Sequence, residues 1–239
     1  MLELNKIYLG DCLNLMPQIA DNSVDMVITD PPYINENHGG GKSEMAKRKL
    51  VKERHIDFIS NGFDYNMVFG EFIRICKTPN ILLFCSNKQV SKVMSWFESK
   101  NLPTTLLVWH KTNPIPFANG KHLSDVEFLV YVHGKGATFN NDVPYKYKSK
   151  VYSSPIVSNK NRLHPTQKNV EQLRQYIKTF TKPNDVILDC FCGSGSTIVA
   201  AIRENRQYIG IEKDEHYFEI TKQRIAADAS QLSLFNNLI

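Results

Sequence analysis

Metal-binding cysteine pairs, long apolar runs and internal repeats are all missing from this chain of 239 residues. Its five cysteines, Cys12, Cys76, Cys85, Cys190 and Cys192, are odd in number and contain no C-x-x-C pair, which argues against a disulfide framework and against a zinc site. No 18-residue apolar stretch exists, so no membrane-spanning helix is expected, and Glu3, Lys6 and Asp11 fall where a secretory leader would need unbroken apolar sequence. The expectation is a cytoplasmic protein with reduced, mostly buried thiols and no bound metal. A Walker phosphate loop is absent too: Gly41-Lys42-Ser43 would need a glycine at position 36, where Glu36 stands. A nucleoside triphosphate ligand is therefore not expected.

What is present is 42% hydrophobic content, enough for one substantial core, and a net charge of +5 that weakly favours a polyanionic partner. Strand-like apolar runs alternate with helical periodicity, the pattern of a mainly parallel sheet with helices on both faces. Strands are predicted at Val24 to Thr29, Ile81 to Cys85, Thr104 to Trp109, Val126 to Val132, Val186 to Leu188 and Tyr208 to Ile211. Val170, Leu173, Ile177 and Phe180 share one helix face, and Pro183-Asn184-Asp185 reads as the turn into the next strand. The whole reads as a single α/β domain over residues 1–229 with a tail at 230–239. Two inserted segments interrupt the alternation. Residues 34–66 carry Gly39-Gly40-Gly41 and a basic cluster from Lys42 to Arg54; residues 134–165 interleave Lys146, Lys148, Lys150, Lys160 and Arg162 with Tyr145, Tyr147 and Tyr152. Each fits a nucleic-acid contact or simply a solvated charged loop.

Two motifs carry chemistry. Asp30-Pro31-Pro32-Tyr33 closes the apolar run Val24 to Ile28; Asp189-Cys190-Phe191-Cys192-Gly193-Ser194-Gly195-Ser196 follows the strand Val186 to Leu188. An aromatic exocyclic amine is a poor nucleophile because its lone pair is delocalised, so a catalyst must accept its hydrogens; Asp30 and the Pro31 carbonyl are suited to that. Prolines at positions 31 and 32 remove backbone donors and restrict φ. In the second motif, Gly193 and Gly195 let backbone pass close to a ligand. Glu212, at the tip of a strand about twenty residues on, can accept hydrogen bonds from ribose hydroxyls. Lys213 follows it.

These motifs resemble those of the DNA amino-methyltransferases, AdoMet-dependent enzymes that act on adenine N6 or cytosine N4. The glycine-rich turn is similar to their Asp-Pro-Phe-x-Gly-Ser-Gly-Thr motif, with Cys190 in place of the common proline and Ser196 in place of threonine. Upstream, His164-Pro165-Thr166-Gln167-Lys168 resembles the element that binds the methionine part of S-adenosyl-L-methionine. Leu9-Gly10-Asp11-Cys12 resembles the element that recognises the cofactor adenine, although Asp11 also fits a helix N-cap ahead of Leu13 to Ile19. The resemblance implies a class I AdoMet-dependent methyltransferase fold, Rossmann-like, with the circularly permuted motif order of the β-type enzymes. It assigns catalysis to Asp30, Pro31, Pro32 and Tyr33. Cofactor binding falls to Asp11, Cys12, Asp30, His164, Thr166, Lys168, Asp189, Phe191, Gly193, Ser194, Gly195, Ser196, Glu212 and Lys213.

Further matches extend it over most of the chain. Phe84-Cys85-Ser86 is similar to a Phe-x-Ser strand end and Trp109-His110-Lys111-Thr112-Asn113 to a Trp-x-Lys-x-Asn segment beside the target base; either also reads as a buried strand end. Aspartate at the first catalytic position implies adenine, where cytosine-N4 enzymes usually carry serine. Carbon-5 methylation is disfavoured because no Pro-Cys dipeptide supplies the nucleophile. The expected partner is duplex DNA, with Tyr33 as a stacking face for an extruded base; RNA, cytosine N4 and a silent DNA-binding module are the rival readings. A homodimer is consistent with the resemblance. Gln231-Leu232-Ser233-Leu234-Phe235 is similar to peptides that dock into the bacterial sliding clamp, or packs on its own domain or a dimer partner.

Overall fold

Successive residues of a strand point to opposite faces of a sheet, and in the central strands here both faces are apolar. The computed structural model describes residues 1–32, 65–114, 122–158, 162–164 and 166–236, with 229–236 as backbone only. Among these residues, β1 (Lys6–Leu9), β2 (Met26–Thr29), β3 (Asn80–Cys85), β4 (Thr104–Lys111), β5 (Val126–His133), β6 (Val151–Ser154), β7 (Val186–Asp189) and β8 (Gln207–Glu212) form one sheet. Its order is β1, β8, β7, β2, β3, β5, β4, β6. Only β5 runs against its neighbours; every other adjacent pair among them is parallel.

Val27, Ile81, Leu83, Val130, Val132, Leu188 and Ile211 enter one core with α2 (Tyr65–Ile75) and α3 (Asn87–Glu98). Their alternates Met26, Ile28, Leu82, Phe84, Leu129, Tyr131 and Ile187 enter a second core with α4 (Val170–Phe180) and α5 (Ser196–Arg203). In the first, Phe69 is fully buried with its ring 4.9 Å from Phe97 and 5.3 Å from Trp96. Truncating such a ring to alanine costs about 3–5 kcal/mol. A short α1 (Cys12–Leu15) follows β1, and α6 (Glu215–Asn236) follows β8.

The layered α/β class and the six expected strands are all present, with ends moved by one or two residues. Val24 differs, since it forms an isolated bridge to Cys76 ahead of β2. Among its described residues the 134–165 segment is more regular than expected: it holds a 3₁₀ turn at Tyr145–Lys148 and the edge strand β6. The backbone of residues 231–236 continues α6 as helix, so the clamp-like peptide is not a separate extended tail. No helix among the described residues is long and apolar enough to cross a membrane.

Candidate active site

Parallel strands bring their C-terminal ends to one rim, and Asp11, Asp30, Asp189 and Glu212 stand there. Leu9 pairs with Glu212 and Asp189 with Gly210, so Asp11, Glu212 and Asp189 belong to adjacent strand ends. Asp30 follows β2 on the other side of Asp189, and the Thr29 hydroxyl donates to Asp189 Oδ1 at 2.7 Å. β2 lies between β7 and β3, where chain connections diverge to the two halves of the sheet; such switch points are where open α/β sheets bind ligands.

The glycine turn is held from three directions. Gly193 and Gly195 have φ of 52° and 75°, the left-handed region that side chains disfavour. A Cβ at Gly195 would stand 2.6 Å from Thr221 Cγ2, so α6 lies tight against the turn. From α6 the Thr221 hydroxyl donates to the Gly193 carbonyl at 2.8 Å, and Arg224 donates to the Ser194 carbonyl at 2.8 Å and to the Ser196 hydroxyl at 3.1 Å. Beneath the turn, Asp189 Oδ1 accepts from the Phe191 amide at 3.1 Å. Burial pushes the Asp189 carboxyl up to about 6 despite these donors.

Glu212 Oε2 accepts from the Gly193 amide at 2.6 Å and Oε1 from the Asp214 amide at 2.8 Å. Each carboxylate oxygen still has acceptor capacity for a hydroxyl. Burial, opposed by those amides, raises this carboxyl to about 7. Beside it, Asp11 caps α1 through the Leu13 amide at 3.0 Å and pairs with Lys213 Nζ at 2.8 Å. The capping reading of Asp11 therefore holds, and its carboxylate still lies at the rim. Cys12 and Cys190 are buried below it. His164 stacks edge-on against Tyr217 at 4.2 Å, close over Gly193, and its Nδ1 accepts from the Thr166 amide at 3.2 Å. A glycine cradle, a diol-accepting carboxylate and a flanking histidine fit an adenosine-bearing cofactor.

Lys168 is turned toward the catalytic strand end. It is 6% exposed, with Nζ 2.9 Å from Asp30 Oδ2, 2.8 Å from Glu127 Oε2 and 4.6 Å from the centre of the Phe84 ring. Glu127 Oε1 in turn meets Lys111 Nζ at 2.9 Å. Burial, the largest influence on Glu127, pushes its carboxyl up, but the two lysines together bring it below the ordinary value. Pro32 is fixed by Gln89, whose Nε2 donates to the Pro32 carbonyl at 3.1 Å while its Oε1 accepts from the Ser86 amide at 3.0 Å. Of the second segment resembling the family, Trp109 donates to Ser154 at 2.9 Å, which ties β6 to β4, and Asn113 accepts from the Ile156 amide at 2.7 Å, which joins the residues that follow the two strands.

Gln89, Glu127, Thr221 and Arg224 did not stand out in the sequence, because each lies on an element without a motif. Tyr33 and the basic cluster from Lys42 to Arg54 lie outside the described residues. Lys148 and Lys150 line a cavity of about 320 Å³ with Thr105, Tyr131, Tyr147 and Phe180, at the end of β4 opposite Lys111 and Asp30. Among the described residues of that segment, Ser154 and Ile156 bond to Thr112 and Asn113 just after β4, and His164 lies over Gly193.

The family model described as DNA methylase matches residues 24–223. The chain is 29% identical over 230 residues to the YubD protein of Escherichia coli (strain K12), covering 94% of this chain and 91% of that one. It is 26% identical to the type II methyltransferase M.HinfI of Haemophilus influenzae, covering 93% and 68%. The crystal structure of an M1.HpyAVI–SAM complex superposes with a TM-score of 0.69 at 25% identity, covering 92% and 98%. The PvuII cytosine-N4-specific DNA methyltransferase shares the fold, with a TM-score of 0.70 at 16% identity over 93% and 86%. With a rim built this way and most of its length matched, the chain belongs to the family of N6/N4 DNA amino-methyltransferases.

Proposed function

We propose that this chain methylates adenine N6 at a short specific site in duplex DNA, with S-adenosyl-L-methionine as methyl donor and the target base turned out of the helix. The observation that carries this reading is the Asp30 carboxylate at the end of β2, next to the strand end that bears the glycine cradle. When bound, the cofactor supplies an electrophilic methyl group on a sulfonium sulfur. Glu212 would accept the ribose hydroxyls, and Asp11 and Cys12 would hold the adenine. His164 and Thr166, beside the turn, would hold the methionine part.

Asp30 accepts a hydrogen bond from the acceptor amine, which localises the nitrogen lone pair. As the new N–C bond forms and the methyl–sulfur bond breaks, leaving a neutral thioether, Asp30 receives the proton that the amine releases. The Pro31 carbonyl serves as second acceptor, and Tyr33 supplies a stacking face for the extruded base. Most of the acceleration is alignment of amine and methyl group, with no covalent enzyme intermediate. Aspartate as the first motif residue favours adenine; the fold itself is common to both targets.

Asp30→Ala tests the assignment. Methyl transfer should fall by at least about 10²-fold, the scale of a lost proton acceptor, while S-adenosyl-L-methionine still binds in calorimetry. Wild-type turnover by Asp30→Ala would refute the role of Asp30.

A further inference from the structure

Four charged side chains form an alternating row across the catalytic end of the sheet. Asp30 Oδ2 meets Lys168 at 2.9 Å, Lys168 meets Glu127 Oε2 at 2.8 Å, and Glu127 Oε1 meets Lys111 at 2.9 Å. They come from the β2 end, the segment before α4, the start of β5 and the end of β4. Their side chains retain between 7% and 20% of full exposure, so the charges act through little water.

We propose that Glu127 is a positioning residue for methyl transfer: it shares Lys168 with Asp30 and balances the two lysines, so that Asp30 faces the acceptor amine as an available carboxylate. The inference rests on the role of Asp30 proposed above. As the N–C bond forms, positive charge develops on the amine, and Asp30 stabilises it. A lysine paired with Asp30 alone would cancel that field, and Lys111 would add to the opposition. With Glu127 in place the two lysines and two carboxylates sum to zero. Without it the same site carries one net positive charge where a cation must form.

Other groups near this row leave Glu127 as the balancing charge. Asp189 lies beyond Thr29 and is engaged by that hydroxyl and the Phe191 amide. The Cys85 thiol is raised to about 12 by burial, with the Asp30 charge adding to it, so it remains neutral at physiological pH. The Phe84 face beneath Lys168 favours the cation without neutralising it. The geometry thus gives Lys168 a role through Asp30, whereas the sequence resemblance assigned it to the cofactor.

The test uses Glu127→Gln and Glu127→Asp in the full chain, with three readouts: calorimetric affinity for S-adenosyl-L-methionine, affinity for duplex DNA, and single-turnover methyl transfer. Glu127→Gln should bind both ligands like the wild type yet transfer methyl at least tenfold more slowly. Glu127→Asp, which keeps the charge on a shorter arm, should recover part of the rate. Wild-type transfer by Glu127→Gln would overturn the inference. So would a loss of cofactor affinity in step with rate, since that would make Lys168 a cofactor ligand loosened by the substitution. If Glu127→Gln fails to fold, Glu127→Ala, which also removes the charge, decides through the same split between rate and affinity: transfer at the wild-type rate, or a loss of cofactor affinity in step with rate, overturns the inference. A wild-type chain that methylates no DNA would reject the proposed function and this inference together; an active wild type with an indifferent Glu127→Gln would reject the inference alone.

Discussion

Gln89 shows how one buried side chain can hold the backbone of a site in place. Its amide joins the Ser86 N-cap of α3 to the Pro32 carbonyl and to the Tyr65 hydroxyl. Gln89→Ala leaves the Pro32 carbonyl without this donor and should cost about 1–3 kcal/mol. Methyl transfer should fall more than cofactor affinity; denaturant unfolding and single-turnover rates check both, and equal losses would argue for a general defect. Glu212 predicts a pH dependence. Its carboxyl rises from an ordinary 4.5 to about 7, so between those values the fold retains a proton that the unfolded chain has released. Stability of the free protein should therefore fall as pH rises through that window. Asp189, raised to about 6, contributes with the same sign. Glu212→Gln should flatten the decline, and a slope unchanged by the substitution would contradict the assignment. Asp30, Glu212 and Gly193 could be singled out from sequence because an acidic residue closing an apolar strand and a glycine-rich turn after one are visible in the chain itself. Gln89 and Glu127 could not, because each meets its partner only after distant strands pair: Gln89 is 57 residues from Pro32, and Glu127 is 41 from Lys168.

Among the elements, α6 serves the glycine turn as much as the core. Thr221 lies flush with the turn, and at Gly195 an added Cβ meets both a positive φ and a methyl group at 2.6 Å. Gly195→Ala should weaken cofactor binding and destabilise the protein by about 1–3 kcal/mol. Adding Thr221→Ser removes the offending methyl while keeping the hydroxyl that holds Gly193, so the double variant should recover part of the loss. No recovery in thermal melts would leave backbone strain as the whole effect. Elements were legible in proportion to their apolar periodicity. The helix Val170–Phe180 repeats it on every turn, and the central strands stand out instead as short unbroken apolar runs. β1 and β6 are four-residue strands with mixed burial. β6 owes its place to the Trp109–Ser154 bond and its pairing with β4, interactions that residues 151–154 do not announce on their own.

At the scale of the whole molecule, the sheet order places the glycine turn and Glu212 at the ends of β7 and β8 and the row of Asp30, Glu127 and Lys111 at the ends of β2, β5 and β4, with Asp30 next to the strand that bears the turn. This is why motifs 160 residues apart, Thr29 and Asp189, meet through one hydrogen bond. The C-terminal end of α6 offers a separate prediction. If Gln231 to Phe235 docks into a sliding clamp as an extended peptide, the last helical turns must unwind on binding. Leu234→Ala with Phe235→Ala should then reduce clamp affinity without changing methyl transfer; unchanged affinity for purified clamp would remove the idea. The central claim is chemical. Purified protein, labelled S-adenosyl-L-methionine and mixed-sequence duplex DNA should give a product that, digested to nucleosides, carries its label in N6-methyladenine. Label in N4-methylcytosine instead, or none on DNA despite cofactor binding, would contradict the account.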